Sequence, residues 1–519
     1  MEHVIGTQTR SVNPFLPSTE FIPDGEPRVF GDRVYLYGSH DEGAGAKGVC
    51  AGDYVCYSAP VDDLAAWRFD GVIYPRMQDP YVADRVGRGK DGINAHLFAP
   101  DVIEVDGRYL MYYGVGLSAS GFGLAVAPSP TGPFEYVGRL RYPDGRVFGD
   151  GKGAFSGGRL RIAEYPYDPA MLHHDGRLFL YFGLLNCSVI ELDPADGLTV
   201  IRNPDTGRFI TPILRATPLD AIRAARSGRA RRTVMVNGPS IREVDGRFVL
   251  SYWAMGGEEF SGMYHAISVS PSGPFTPAGP LVALGNGWLN EQPGATDRRG
   301  NTHGGMFRAG DTWYQVYHRH TADGRQACAV PLRQRADGGF EQSEYTSQGL
   351  DASPLDAFRT WPAYIACHLV GRGRRRPAIV LREHPSAPVD PETGRPLTQV
   401  VSDTRAGSVV GFKYLDFRAG AAQTVTLSVD PRSTGRIEVC VGDPDAAPVA
   451  TVVVATPHVG RGWIDLHAPV VASVDGVQAV YLRFHPDRGE LGDVAALTFT
   501  PETHQHRSDS PVQEETTCR

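Results

Sequence analysis

Through the first two thirds of the chain, apolar and polar residues alternate in short runs with the period of two that marks β-strands. One phrase, a tight turn followed by an aromatic-rich strand, recurs five times. It reads GDRVYLYGS from Gly31, DGRYLMYYG from Asp106, DGRLFLYFG from Asp175, DGRFVLSYW from Asp245 and GDTWYQVYH from Gly310. Asp-Gly pairs favour two-residue hairpin turns, and each turn follows another apolar run: RVF, DVIEV, AMLHH, SIREV and GMFRA. Each repeat therefore predicts the two inner strands of an antiparallel sheet. The turn glycines are Gly31, Gly107, Gly176, Gly246 and Gly310, at spacings of 76, 69, 70 and 64 residues. Such spacings leave room for two further strands per repeat. SPTGPF at 129–134 and SPSGPF at 270–275 recur at matching places in the second and fourth repeats. Four-stranded units repeated radially make a β-propeller, so five repeats predict five blades over residues 12–335.

The pattern changes afterwards. Residues 336–410 are rich in proline, arginine and polar residues, including RGRRRP at 372–377, and read as a connecting segment. From 411 to 501 short alternating runs return (TVTLSV, RIEVCV, ATVVVA, AVYLRF, ALTFTP) and predict a β-sandwich. Trp463, Tyr414 and Phe417 are its candidate sugar-stacking aromatics, or members of its core. The tail, 502–519, has no apolar periodicity and is expected to be disordered. The fold class is all-β, a five-bladed propeller followed by a jelly-roll-like sandwich.

Composition agrees with strands and turns: 61 glycines and 40 prolines stand beside 22 Phe, 22 Tyr and 6 Trp. The net charge of −8 argues against a surface dedicated to nucleic acid or anionic membrane. AIRAARSGRARR at 221–232 is accordingly read as a solvated insertion between blades. No apolar run is long enough to span a membrane. MEHVIGTQTR lacks the apolar stretch of a secretory signal, so a cytoplasmic location is expected. Seven scattered cysteines fit that expectation, with Cys50 and Cys56 read as free thiols because no second ligand pair accompanies them.

The repeat also points at chemistry. Asp24, Asp101, Asp168, Asn237 and His303 stand six to nine positions before the successive turn glycines. Inner strands of a propeller start around one axis, so these side chains are expected to converge on a single mouth.

NPFLPSTEFIPDGEPRVFGDRVYLYGSHDE, HLFAPDVIEVDGRYLMYYG, YDPAMLHHDGRLFLYFG and GNTHGGMFRAGDTWYQVYHRHT, followed by RQACAVPL, resemble glycoside hydrolase family 43 over roughly residues 12–335. That family comprises inverting enzymes on a five-bladed propeller, chiefly α-L-arabinofuranosidases, β-xylosidases and arabinanases. GFKYLDF from Gly411 through VYLRFHP to ALTFTP looks like a family 6 carbohydrate-binding module. The resemblance implies an oligosaccharide substrate trimmed from its end. It makes Asp24 in PDGEP the general base and Asp168 in YDPA the carboxylate that keeps the acid protonated and orients it. His303 in NTHG matches the histidine beside an axial cation, usually calcium; no organic cofactor is implied. Asp101 in APDV is given a sugar or water contact, and Trp288, between GNG and LNEQPG, a sugar-platform role.

The fourth repeat departs from the family. Where relatives carry the acid Glu, VMVNGPSIREV has Asn237, and an amide donates no proton near neutral pH. Glu258 and Glu259 in GGEEFSG are the foremost replacements, with Glu164 and Glu291 as further candidates. The alternative is a non-catalytic carbohydrate-binding or sensing propeller that has lost its acid.

Overall fold

A computed structural model describes residues 10–45, 47–116, 120–149, 155–156, 159–160, 165–215, 234–256, 260–284, 297, 300–372, 375–390, 393–418 and 422–501. The five repeats form five antiparallel sheets. Blade 1 runs Glu26–Phe30, Arg33–Tyr37, Tyr54–Pro60 and Arg68–Tyr74; blade 2 runs Leu97–Val105, Arg108–Val115, Phe122–Ala127 and Glu135–Arg139. Blade 3 has Ala170–His174, Arg177–Phe182 and Asn186–Leu192, the last pairing with both Val200–Ile201 and Thr211–Arg215. Blade 4 is Val234–Val244, Arg247–Gly256, Phe260–Ser268 and Thr276–Ala283, and blade 5 is Met306–Ala309, Thr312–His320 and Arg325–Leu332.

The local chemistry of the turns sets this register. Asp106-Gly107, Asp175-Gly176 and Asp245-Gly246 all take positive φ at both residues, the backbone of the hairpin turn whose twist matches its flanking strands. Pairing then alternates side chains between the two faces of each blade. In Arg33–Tyr37, Tyr35 and Tyr37 pack toward blade 2, whereas Val34 and Leu36 pack toward blade 5. Apolar clusters therefore lie between successive blades all the way round. The ring closes where Asn13 mimics a strand on blade 5: its Nδ2 donates to Ala329 O at 2.9 Å, and its Oδ1 accepts from Ala329 N at 2.8 Å.

The second unit is a sandwich of two six-stranded sheets. Its extent corrects the expected boundary at 411. Ala378–Glu383 and Leu397–Ser402 pair in one of its sheets, and His368–Val370 joins the other. Much of 336–410 is therefore sandwich rather than connector. The alternation AIVLRE and LTQVVS is short, and the prolines and arginines around it mask it in the sequence. The sandwich core also takes in Val12 from the start of the propeller region.

Candidate active site

In the first four blades one residue just before or within the inner strand lies in the left-handed region and kinks it: Asp24 (φ 57°), Ala99 (φ 38°), Asp168 (φ 50°) and Gly238 (φ 66°). Positive φ is costly for residues other than glycine and persists where the surroundings enforce it, most often at working sites. Pro100, Pro169 and Pro239 follow three of these residues and fix the kink. A parallel bridge between Gly25 and Gly304 sets His303 of blade 5 beside Asp24. The result is one pocket of about 240 Å³, lined among others by Asp24, Asp41, Phe98, Tyr167, Asp168, Asn237 and Arg325.

Asp24 and Asp168 are both buried and share His303, whose Nδ1 lies 3.6 Å from Asp24 Oδ1 and 3.8 Å from Asp168 Oδ2. Those lengths exceed a hydrogen bond, so the imidazole acts on both carboxyls as a nearby charge. Ser39 Oγ donates to Asp24 Oδ2 at 2.7 Å, and Arg325 Nη1 stands 3.4 Å from both Asp24 oxygens. The Asp24 amide donates to His318 Nδ1 at 3.1 Å, which puts the His318 proton on Nε2 and leaves that ring neutral. Burial drives the His318 pKa well down in the same direction.

The two carboxyls are pushed apart. Burial opposes charge on Asp24, but Arg325 and His303 outweigh it and hold the group below the ordinary carboxylate range. Burial also acts on Asp168, and with the charge of Asp24 it raises that carboxyl to about 7, against the pull of His303 and the Gly238 amide. His303 is raised despite burial, because Asp24 and Asp168 favour its cation. One carboxyl is thus ionised while its neighbour holds a proton near neutrality, the division expected of an acid–base site.

Asn237 is buried on the same pocket, on a strand whose register slips on both sides of it. Such bulges re-aim side chains. Its Oδ1 is buried and has no hydrogen-bond partner among the described residues.

Asp101 is a correction. It is fully buried and clamped by Arg28, with Nε to Oδ1 at 2.8 Å and Nη2 to Oδ2 at 2.5 Å, and it also accepts from Met171 N at 2.6 Å. It follows Ala99 by two residues, as Glu26 follows Asp24, so it belongs one step deeper along the axis than the pocket. Trp288, Glu258, Glu259, Glu164 and Glu291 lie outside the described residues.

The axis below His303 also bears on the expected calcium. Glu26 accepts from Ser240 Oγ at 2.8 Å and pairs with Arg242 Nη2 at 2.6 Å, with Arg28 Nη2 3.9 Å away. Two buried guanidinium groups therefore already neutralise the two carboxylates there. Calcium takes six to eight oxygen ligands. Among the described residues no group of three or more His, Cys, Asp or Glu side chains is placed to hold a metal ion. The residues present do not fit an axial calcium, and no step of the chemistry is routed through one.

Residues 12–340 match the family model for Glycosyl hydrolases family 43, and residues 390–501 match that for Carbohydrate binding module (family 6). The chain belongs to glycosyl hydrolases family 43. Like other members of family 43, it is a glycosidase that hydrolyses O-glycosyl bonds. It is 30% identical over 501 residues to a xylosidase/arabinosidase of Thermoclostridium stercorarium, covering 94% of this chain and 98% of that relative. It is 25% identical over 451 residues to an arabinoxylan arabinofuranohydrolase of Paenibacillus polymyxa, spanning 80% of this chain and 62% of the relative. A Bacillus subtilis family 43 arabinoxylan arabinofuranohydrolase, solved with cellotetraose, aligns over 96% of this chain and 99% of its own at 21% identity and a TM-score of 0.47.

Several pocket residues of this family 43 chain escape a reading of the sequence. Arg325 holds Asp41 through Nε at 2.9 Å and Nη2 at 2.8 Å while facing Asp24. Both stand in stretches that carry the family resemblance, SHDE and RQACAVPL, yet nothing in their spacing marks them as partners 284 residues apart. Cys50 is packed against the same guanidinium, its Sγ 3.0 Å from Arg325 Nη2. The six described cysteines are all free and buried. No helix among the described residues is long and apolar enough to cross a membrane.

Proposed function

We propose that this chain is an inverting, exo-acting glycosidase that removes arabinofuranosyl or xylosyl units from oligosaccharides. The observation that carries the reading is the pair of buried carboxyls on either side of His303 in one small pocket, with surroundings that push Asp24 toward its charge and Asp168 toward its proton. The names of the two curated relatives, a xylosidase/arabinosidase and an arabinoxylan arabinofuranohydrolase, support pentose units as the substrate class. The size of the pocket, about 240 Å³, supports trimming at a chain end.

In this reading Asp24 takes a proton from the water that attacks the anomeric carbon. Arg325 keeps Asp24 ionised, and Ser39 fixes one of its oxygens so that the other faces the water. Asp168, raised by burial and the charge of Asp24, stands beside Gly238 and is turned toward the blade that holds Asn237, where it orients the acid. Asn237 occupies the place of the family's acid and contributes an amide to the leaving side, with no proton to give. A carboxyl from Glu258 or Glu259 supplies that proton when the leaving group is a poor one. Loss of general-acid help typically costs ~10²–10⁴-fold, and an activated leaving group escapes most of that cost.

The test is a leaving-group comparison. The wild type is assayed on aryl α-L-arabinofuranosides and β-D-xylosides and on arabinoxylan oligosaccharides, with Glu258→Gln and Glu259→Gln in parallel. Turnover of the aryl glycosides is expected, and the variant that has lost its acid should lose the oligosaccharide far more than the aryl substrate. Sugar binding without turnover of any substrate would contradict the reading and favour the binding propeller.

A further inference from the structure

The turn that carries Arg325 into the pocket is not held by the propeller alone. Residues 321–324 join Thr312–His320 to Arg325–Leu332, which meet at the His320–Arg325 pair. Thr321 ties the turn together from inside. Its amide and hydroxyl donate to Gly324 O at 2.9 and 2.8 Å, and its Oγ1 accepts from the amides of Asp323 and Gly324 at 3.2 and 3.1 Å. The Ala322 amide and the Asp323 carboxylate face outward, and both are used on the sandwich. Ala322 N donates to Ile379 O at 2.8 Å, and Asp323 Oδ2 accepts from Leu381 N at 2.7 Å.

Ile379 and Leu381 belong to Ala378–Glu383, which lies at the edge of its sheet and pairs with Leu397–Ser402 on its other side. Edge strands present unpaired donors and acceptors that need a partner. Here the partner is the propeller turn. Just before the turn, Arg319 is fully buried and bonds Tyr364 O at 2.6 Å and Ala366 O at 3.2 Å, a second tie to the C-terminal unit. Gly324 packs so closely on Phe21 that a Cβ would approach its ring to 2.7 Å, so the turn has no slack on the propeller side. Arg325 is the next residue, and its main-chain N is itself on Asp41 Oδ2 at 3.1 Å. A displaced turn displaces the guanidinium that faces Asp24.

We propose that the sandwich is a positioning element of the active site: through Asp323 and the Ala322 amide, its edge strand holds the 321–324 turn so that Arg325 meets Asp24. Asp323 is the positioning residue. The proposal rests on the reading of Asp24 as the general base. Asp24 is faced by His303 and His318 from blade 5, by Asp168 and Tyr167 from blade 3, by Cys50 and Tyr54 from blade 1, and by Arg325. Of these, Arg325 is the one the turn carries. Weakening its contact raises the pKa of Asp24, so the acid limb of the pH profile moves to higher pH.

The experiment uses the full chain and compares Asp323→Ala, Asp323→Asn and Asp24→Asn on an aryl glycoside, with thermal melts of each. Asp323→Ala removes the acceptor for the Leu381 amide, whereas Asp323→Asn keeps an oxygen there. Since a misplacement of ~1 Å near the chemistry costs up to ~10²-fold, Asp323→Ala is expected to lower kcat about tenfold or more, with KM changed less. Its acid limb should shift upward, and Asp323→Asn should restore both properties. If Asp323→Ala does not fold, Asp323→Ser, polar but one bond short of the amide, takes its place with the same outcomes. A folded variant with wild-type kcat and an unmoved acid limb overturns the positioning role. So does a loss of melting temperature without either change. Full activity in Asp24→Asn would instead overturn the base assignment, which separates the two failures.

Discussion

Two aspartates that look alike in the sequence are pushed in opposite directions because their surroundings differ. At Asp24 the charges of Arg325 and His303 outweigh burial, whereas at Asp168 burial and the charge of Asp24 itself prevail. The sign of each shift gives a pH prediction. A base held below the ordinary range keeps its charge in mild acid, so the acid limb of kcat/KM should lie well below neutrality. A carboxyl raised to about 7 loses its proton as the pH passes that value, so activity that needs this proton should fall on an alkaline limb near neutrality. Asp168→Asn, which fixes the uncharged form, should flatten that limb; an unchanged limb would remove Asp168 as its origin. At Asn237 the expected outcome is a gain. Asn237→Glu should raise turnover of oligosaccharides with poor leaving groups by ~10²–10⁴-fold while changing aryl glycosides much less, read from the ratio of the two rates.

At the scale of strands, what was legible in the sequence was whatever repeats. Turn glycines, aromatic strands and the convergence of Asp24, Asp168, Asn237 and His303 all follow from a period that sequence displays directly. Asp101 keeps register with the turn glycines yet lies away from the pocket, because the kink at Ala99 and not the turn decides which side chain faces the mouth. Measured from Ala99 and Asp24, Asp101 is the partner of Glu26 and not of Asp24. Long-range partners such as Arg325 with Asp41, or Arg28 with Asp101, have no local signature at all. Strands Ala378–Glu383 and Leu397–Ser402 were hidden for a different reason: each shows only six residues of alternation amid turn-forming residues. The axial network makes its own prediction. Arg242→Met leaves Glu26 buried with its closest ion partner gone, an imbalance that typically costs ~3–5 kcal/mol. Denaturant unfolding should show that loss. Because guanidinium groups already balance the axial carboxylates, treatment with a chelator should leave the wild-type melting temperature unchanged, and a drop restored by calcium would contradict this account of the axis.

On the scale of the whole molecule, five blades bring distant residues to one mouth and the sandwich braces part of its wall. The pocket draws Asp24 from blade 1, Asp168 from blade 3, Asn237 from blade 4, and His303 and Arg325 from blade 5. Because each blade contributes its own residues, a change at one blade leaves the others in place, and under the proposed function that is how Asn237 takes the acid position. The most direct test of the central claim is kcat/KM of Asp24→Asn against wild type on an aryl pentoside, with melting curves to confirm the fold. The expected result is a folded protein with a cooperative melt, lowered somewhat because Arg325 and His303 lose a buried counter-charge, and a loss of about 10²–10⁴-fold or more, the typical worth of a general base. Wild-type turnover in that variant would contradict it.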